Sequence, residues 1–487
     1  MQFKFTKFAT VLLASGIISL PLAAHANDSS ELEELRALVQ QLDQKVKILD
    51  RKGELAEEAA AEKKKTTPVV KASEDGFGLE SADGKNKIRF KALAQIDYRS
   101  YLNASNQTAN IDGFDFRRIR PSVEGTVFGI YDFKFVPEFG ENKTSGISPT
   151  AAGAAISKSS SNSGIVDAYI DARFKPWFEV RAGKFKPYVG LERLQAGADT
   201  KFIERSYVSN NILPNRDLGA SIHGDLFGDK LTYAVGVFNG VVDGGDNITS
   251  QDFNGDKDFA ARVFTTPFKG EDSALAGLGF GIAATTTSTN GQANLSSITG
   301  LPDYKTPGQQ ASFFTYATGT SANGTRNRWT PQAYYYNGPF GVLAEYAQVD
   351  QHVISGTTTE KLSNDAWHVT ASWLLTGEDA SFKGVKPKAA FNPDSTGWGA
   401  WELVARYQEN NIDGAAFTTS KTFADSTKSS KSAESWAVGV NWYLNQNIKV
   451  ATNYEQTSFK WGGGGTVAAP IDRPDERTLF TRLQISY

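Results

Sequence analysis

The chain has 487 residues, 40% of them hydrophobic and 12% aromatic, with a formal charge of −3 at neutral pH, four histidines and no cysteine. Those figures exclude disulfide and thiolate chemistry and leave no overall basicity with which to attract nucleic acid, so any preference for anions must come from local placement of charge. There is no Gly-x-Ser-x-Gly elbow, His-Glu-x-x-His pair or P-loop, and Gly462 to Gly465 lack the lysine and helix of a phosphate cradle; no catalytic residue, metal site or cofactor is expected.

The chain opens with Lys4 and Lys7, an apolar run from Val11 to Leu22, and Ala24-His25-Ala26. This reads as a secretory signal peptide, residues 1–26, cleaved after Ala26. No later run approaches the roughly eighteen apolar residues a spanning helix requires, so a membrane-crossing chain must cross as a barrel. Residues 27–52 carry Leu32, Leu35, Val39, Leu42, Val46 and Leu49 at alternating spacings of three and four, a heptad seam predicting a periplasmic coiled coil. Such a seam joins identical chains or lies on the barrel or cell wall, and its Val and Leu positions do not decide two strands against three. Residues 53–76, rich in Ala, Glu and Lys, read as a linker.

From 77 to 487 the pattern is all-β. Sixteen strands are expected near 87–98, 113–128, 130–139, 164–174, 177–185, 217–227, 229–239, 257–268, 277–287, 329–337, 340–349, 364–375, 400–408, 433–443, 447–459 and 475–487. The last shows the reason: Leu479, Leu483, Ile485 and Tyr487 share one face, and Arg482, Gln484 and Ser486 the other. Lipid outside and water inside require that alternation in a 16-stranded antiparallel transmembrane β-barrel. Tight connections at Gly129, Lys175-Pro176, Gly228, Asn337-Gly338-Pro339 and Asn445-Gln446 mostly alternate with long polar ones such as Glu141 to Ser163, Lys186 to Arg216, Ser288 to Arg328 and Glu409 to Lys431. One rim therefore has turns and the other loops, with Thr376 to Gly399 a long exception on the turn rim.

Charge on hydrocarbon costs about 2 to 4 kcal/mol per Arg or Lys at mid-depth, so charged faces point to the lumen. That places Arg89, Lys91, Gln95 and Asp97 inside, with Arg118, Arg120, Lys134, Asp167, Asp171 and Arg173. Val166, Ala168 and Ile170 fall outside, and Arg117, with lipid-side parity, belongs at the rim or a bulge. From Arg181 to Arg205 six cations, Arg181, Lys184, Lys186, Arg193, Lys201 and Arg205, outnumber Glu192, Asp199 and Glu204. The segment runs into the third long loop. Folded inward, that loop would set cations against the wall, where arginine forks suit oxyanions; the alternative is ordinary ion pairing with the nearby acids.

Arg181-Ala-Gly-Lys-Phe-Lys-Pro-Tyr-Val-Gly-Leu-Glu192, then Phe202-Ile-Glu-Arg-Ser206, resembles the constriction-loop region of the phosphate-selective porins of the O and P type. Arg216-Asp-Leu-Gly219, Phe116-Arg-Arg118 with Val123-Glu-Gly125, and Leu375-Thr-Gly-Glu378 leading to Gly397-Trp-Gly-Ala-Trp-Glu402 fit as well. The resemblance implies a homotrimer, a third loop folded into each pore, and lumen arginines leading to a lysine-rich throat. It marks Arg117 and Arg118 as paired ladder arginines, Lys134 as a wall lysine, Arg193, Lys201 and Arg205 as loop and throat cations, and Asp167 as the acid that shapes the throat. Where selective members place small hydroxyl side chains, this chain has Ala196-Gly197, with Thr200 nearby, which weakens the neutral donor set for a dehydrated anion.

The expected function is an outer-membrane porin passing phosphate-class or polyphosphate-like anions between lipid-facing walls. Its pathway residues are Arg117, Arg118, Arg120, Lys134, Arg181, Lys186, Arg193, Lys201 and Arg205. A general or weakly selective pore is the alternative, followed by an envelope tether with a shut barrel.

Overall fold

The computed structural model describes residues 28–73, 76–102, 112–140, 164–246, 255–291, 299–308, 312–417 and 423–487. The signal peptide and the whole of the polar stretch 141–163 lie outside these residues. The chain divides into two units, Met1–Thr67 and Pro68–Tyr487.

In the first unit, helix α1 spans Asp28–Thr66. It runs through Leu55 to Thr66, read above as linker, because Ala, Glu and Lys are strong helix formers. Leu32, Leu35, Val39, Leu42, Val46 and Leu49 are all about half exposed or more.

The second unit is the barrel. Its strands are β1 (Lys87–Tyr101), β2 (Gly113–Val127), β3 (Tyr131–Glu138), β4 (Gly164–Lys175), β5 (Phe178–Phe185), β6 (Asp217–Leu226), β7 (Leu231–Phe238) and β8 (Asp258–Thr265). They continue with β9 (Leu278–Asn290), β10 (Thr320–Asn337), β11 (Phe340–Ser355), β12 (Thr358–Leu374), β13 (Ala400–Asn411), β14 (Ser432–Tyr443), β15 (Ile448–Lys460) and β16 (Glu476–Ser486). Each pairs antiparallel with its neighbour, and β16 closes on β1 with Arg482 opposite Asp97 and Leu483 opposite Ile96. Closure leaves the wall without an edge. Where β16 ends, a hairpin strand, Gly76–Glu80, takes over along β1, with Phe77 opposite Phe90.

All sixteen strands fall where the alternation placed them, but several run past the expected ends, β10, β11 and β12 the furthest. Above Trp329 the hydrophobic signal on β10 fades. The outward residues there, Thr325 and Asn327, are polar, while inward Arg326 and Arg328 are buried. Likewise β11 and β12 run on until only Gly356 and Thr357 separate Ser355 from Thr358, so the loop rim has one tight turn. On the turn rim, Phe128 and Gly129 both have positive φ (54° and 76°), the requirement of a two-residue hairpin turn, which Gly meets without strain.

Two bulges redirect side chains. Gln95 faces Arg118 while Ile96 faces Phe116, leaving Arg117 as the extra residue of β2; the bulge turns Arg117 inward beside Arg118. On β4 the partners step from Asp167 to Ile165 across Val136 and Pro137, making Val166 the extra residue. Val166 is buried, correcting its expected lipid-facing position. Outside the wall, Trp329 with Tyr346, Trp367 with Tyr407 and Trp436 with Tyr454 form ring pairs with centroids 5.3 to 5.4 Å apart. A lower row has Phe340 with Trp373 and Trp401 stacked on Trp442. Two aromatic rows bracketing an apolar band match the two membrane interfaces.

Candidate anion pathway

The third loop, 186–216, folds into the lumen and lies on one side of it. Its apolar residues Val189, Tyr207, Val208, Ile212 and Leu213 join Tyr304, Phe313 and Phe314 of the fifth loop and Phe423 of the seventh in one buried cluster. Wall side chains hold its backbone. Gln95 donates to Gly197 O (3.0 Å), Lys449 to Ala198 O and Thr200 O (3.0 and 3.1 Å), Arg482 to Ile203 O (2.8 Å) and Arg406 to Glu204 O (2.9 Å). Buried carbonyls require such donors.

On the other side the lumen opens toward the turn rim into a cavity of about 1380 Å³, lined by ten Lys or Arg and five Asp or Glu side chains. The excess of cations is local, since the whole chain is slightly acidic.

The expected pathway cations divide into two kinds. Five are in ion pairs: Arg117 with Glu204 (2.7 Å), Arg120 with Glu138 (2.5 Å), Lys134 with Glu124 (3.2 Å), Arg181 with Asp171 (2.5 Å) and Lys201 with Glu402 (2.5 Å). The Lys201 pair is deeply buried and ties the loop to β13. Asp167 is engaged by Arg216, whose Nε and Nη2 lie 2.9 and 3.4 Å from its two oxygens. Arg216 appears in the sequence motifs but escaped the expected pathway.

Among the described residues, Arg118, Lys186, Arg193 and Arg205 form no ion pair. Arg118 donates to Gln95 Oε1 (2.5 Å), and its Nε is buried without a partner. Lys186 Nζ and Arg205 Nη2 both donate to Gln195 O, at 2.7 and 2.9 Å. Arg193 Nη1 and Arg216 Nη1 share Asn215 Oδ1, each at 3.1 Å. Arg193 also donates to Ser209 O, so it ties the loop's two limbs together rather than facing open lumen.

Two cations converging on one neutral oxygen, about 5 Å apart, repel by about 3 kcal/mol at an effective dielectric of 20. Burial, then the nearby Arg205 and Arg216, hold the Lys186 amine well below the usual lysine range. An anion at this point would relieve both effects. The loop's two serine hydroxyls at its return limb are already engaged: Ser206 and Ser209 donate to Glu192 Oε2 at 2.6 and 2.7 Å.

A closed sixteen-stranded barrel with an inward third loop and a cation-lined lumen defines the class: this is an outer-membrane porin, a channel rather than an enzyme. The phosphate-selective porin O and P family matches residues 88–458, and the chain belongs to it. Porin O of Pseudomonas aeruginosa is 26% identical over 130 residues, which cover 26% of this chain and 28% of that protein; the match therefore spans little more than a quarter of the relative's length. The outer membrane channel DcaP of Acinetobacter baumannii overlays with a TM-score of 0.51 at 10% identity, covering 85% of this chain and 99% of that one, which establishes the shared barrel fold. An anion-selective porin from Comamonas acidovorans overlays with a TM-score of 0.46 at 11% identity, covering 82% and 100% of the two chains.

Proposed function

We propose that the barrel is an anion-selective channel for passive uptake of phosphate-class anions. One observation carries this reading: Lys186 and Arg205 converge on Gln195 O with no carboxylate at ion-pair distance among the described residues. Charge-assisted hydrogen bonds to an oxyanion are about twice as strong as neutral ones. Arg118 and Arg216 extend the cationic surface on the facing wall, and Asp167 shapes it through Arg216 rather than binding the anion. Arg117, Arg120, Lys134, Arg181 and Lys201 contribute a background field softened by their acids; Arg193 acts by holding the loop.

Ala196-Gly197 favours a second reading, a weakly selective pore, because neither residue offers a hydroxyl to replace a dehydrated anion's water. The reversal potential of the purified protein in a planar bilayer under a potassium chloride gradient, followed by phosphate titration, separates the two. Chloride-biased current blocked by phosphate supports the first reading, and potassium-biased or phosphate-indifferent current overturns it.

We further propose a homotrimer in which α1 is periplasmic and buries its leucine seam against the other two copies. Residues 1–26 would be removed on export. Loss of the trimer on deleting residues 28–66 would support the helix's role; an unchanged trimer would remove it.

A further inference from the structure

The loop's first helical turn, Leu191–Leu194, needs an acceptor for its free backbone N–H groups. Its own flank supplies none, because Gly190 precedes it and has no side chain. The acceptor comes from across the lumen. Glu345, on β11, takes the Leu191 N–H on Oε1 at 2.5 Å and the Glu192 N–H on Oε2 at 2.9 Å. His368, on β12, directly opposes Glu345 in the strand register, with Nε2 3.3 Å from Oε2. Both side chains are fully buried. The Glu192 carboxylate turns the other way and accepts from Ser206 and Ser209, joining the helical turn to the loop's return limb, while Arg406 of β13 lies 3.9 Å from its Oε1.

Glu345 and His368 make no hydrogen bond to Lys186 or Arg205 among the described residues, yet they act on them through the backbone. The helical turn leads within one residue to Gln195, whose carbonyl holds Lys186 and Arg205 together. A small cavity beside Glu192 and His368 has room for no more than about one water molecule.

We propose that Glu345 and His368 are positioning residues that set the constriction: the buried carboxylate latches the third loop to β11 through two backbone N–H groups, and the histidine on the neighbouring strand holds that carboxylate in place. The charged groups facing the latch are Glu192 from the loop, His368 from β12, Arg262 from β8 and Arg406 from β13. Removing one carboxylate oxygen of Glu345 leaves one of the two N–H groups without its acceptor and loosens the loop. Loss of the imidazole leaves the carboxylate free to turn away from the loop. The proposal rests on the anion reading only for the consequence to selectivity, since pore size is a separate observable.

The test is single-channel conductance of the purified full-length protein at pH 7 in potassium chloride, with heat-modifiable gel mobility confirming a folded barrel. Glu345→Gln, with only one acceptor oxygen, should show roughly doubled conductance. His368→Gln should fold and raise conductance by less than Glu345→Gln does. Wild-type conductance in folded Glu345→Gln would overturn the latch; wild-type conductance in folded His368→Gln would overturn the histidine's part. If wild type proves unselective between chloride and potassium, the anion reading fails while these conductance outcomes still decide the latch.

Discussion

The two halves of the lumen treat charge differently. On the packed side, against β10 to β16, carboxylates sit opposite cations with almost no access to water: Lys201 with Glu402, Arg406 with Glu455, Arg482 with Asp97. On the open side, Lys186 lines the cavity and, together with the buried Arg205, meets a neutral carbonyl instead. A paired cation organises the protein and an unpaired one is available to a ligand, so composition of the lumen says less than the identity of each cation's partner.

Breaking a pair on the packed side should have the largest effect. Asp97 accepts from Arg482 at 2.6 and 2.8 Å and from Arg99 at 2.9 Å, in full burial. Asp97→Asn leaves buried guanidinium groups short of counter-charge, at a cost of about 3 to 5 kcal/mol. The guanidinium midpoint of the folded barrel in detergent should fall accordingly, because the residue sits at the β1–β16 closure. Ion selectivity of whatever folds should stay near that of wild type; a large loss of selectivity without loss of stability would erase the distinction between the halves.

The converse substitution is Lys186→Gln. Stability should change by no more than about 1.5 kcal/mol, the loss of one hydrogen bond to Gln195 O, well short of the cost of Asp97→Asn. Half-inhibition by phosphate should weaken by about tenfold or more, the loss of one charged hydrogen bond of about 1.5 to 3 kcal/mol. Equal block in both proteins would move the anion site elsewhere.

Acidity gives a finer test. Lys186 is depressed by burial and by Arg205 and Arg216, so it loses its proton at lower pH than a free lysine. Below that point it carries charge and attracts anions; as pH rises through it, the attraction fades. The chloride-to-potassium permeability ratio should therefore decline on the alkaline side, well short of the usual lysine range. Lys186→Arg, which keeps its charge, should flatten the decline. An identical slope in both proteins would show that another group titrates.

The sequence made the barrel legible because lipid and water impose a strict period of two. It also exposed the bulge at Arg117, since a charge with lipid-side parity on an otherwise regular strand needs an inward turn. Val166 gave no such warning: an apolar residue is equally acceptable on either side of a bulge. Strand length failed where outward residues rise above the hydrocarbon, as Thr325 and Asn327 do, and polarity no longer distinguishes strand from loop. Pairing was the least legible property. Nothing local tells that Lys201 meets Glu402, Arg117 meets Glu204, or Lys186 meets only a carbonyl, because those partners arrive from across a closed sheet. His368 is buried against Glu345, and Glu345's hold on the loop became visible only once β11 and the loop were brought together.

The smallest expected effect concerns the neutral donors that Ala196-Gly197 does not provide. A side chain at Gly197 would meet Leu93 Cδ2 at 3.4 Å and Arg118 Cδ and Nε at 3.8 Å, ordinary contact distances that accommodate a serine. Its hydroxyl would stand beside Arg118, on the side of the loop that faces β2, and could donate to an anion held by Arg118, Lys186 and Arg205. One added neutral hydrogen bond is worth about 0.5 to 1.5 kcal/mol, so phosphate block in Gly197→Ser should tighten by roughly two- to tenfold, with chloride conductance nearly unchanged. Chloride gains less because it presents no array of oxygens to a fixed donor. If block tightens only when Lys186 is present, the hydroxyl and the amine act on the same bound ion; tightening that survives Lys186→Gln would place the anion against Arg118 and the wall instead.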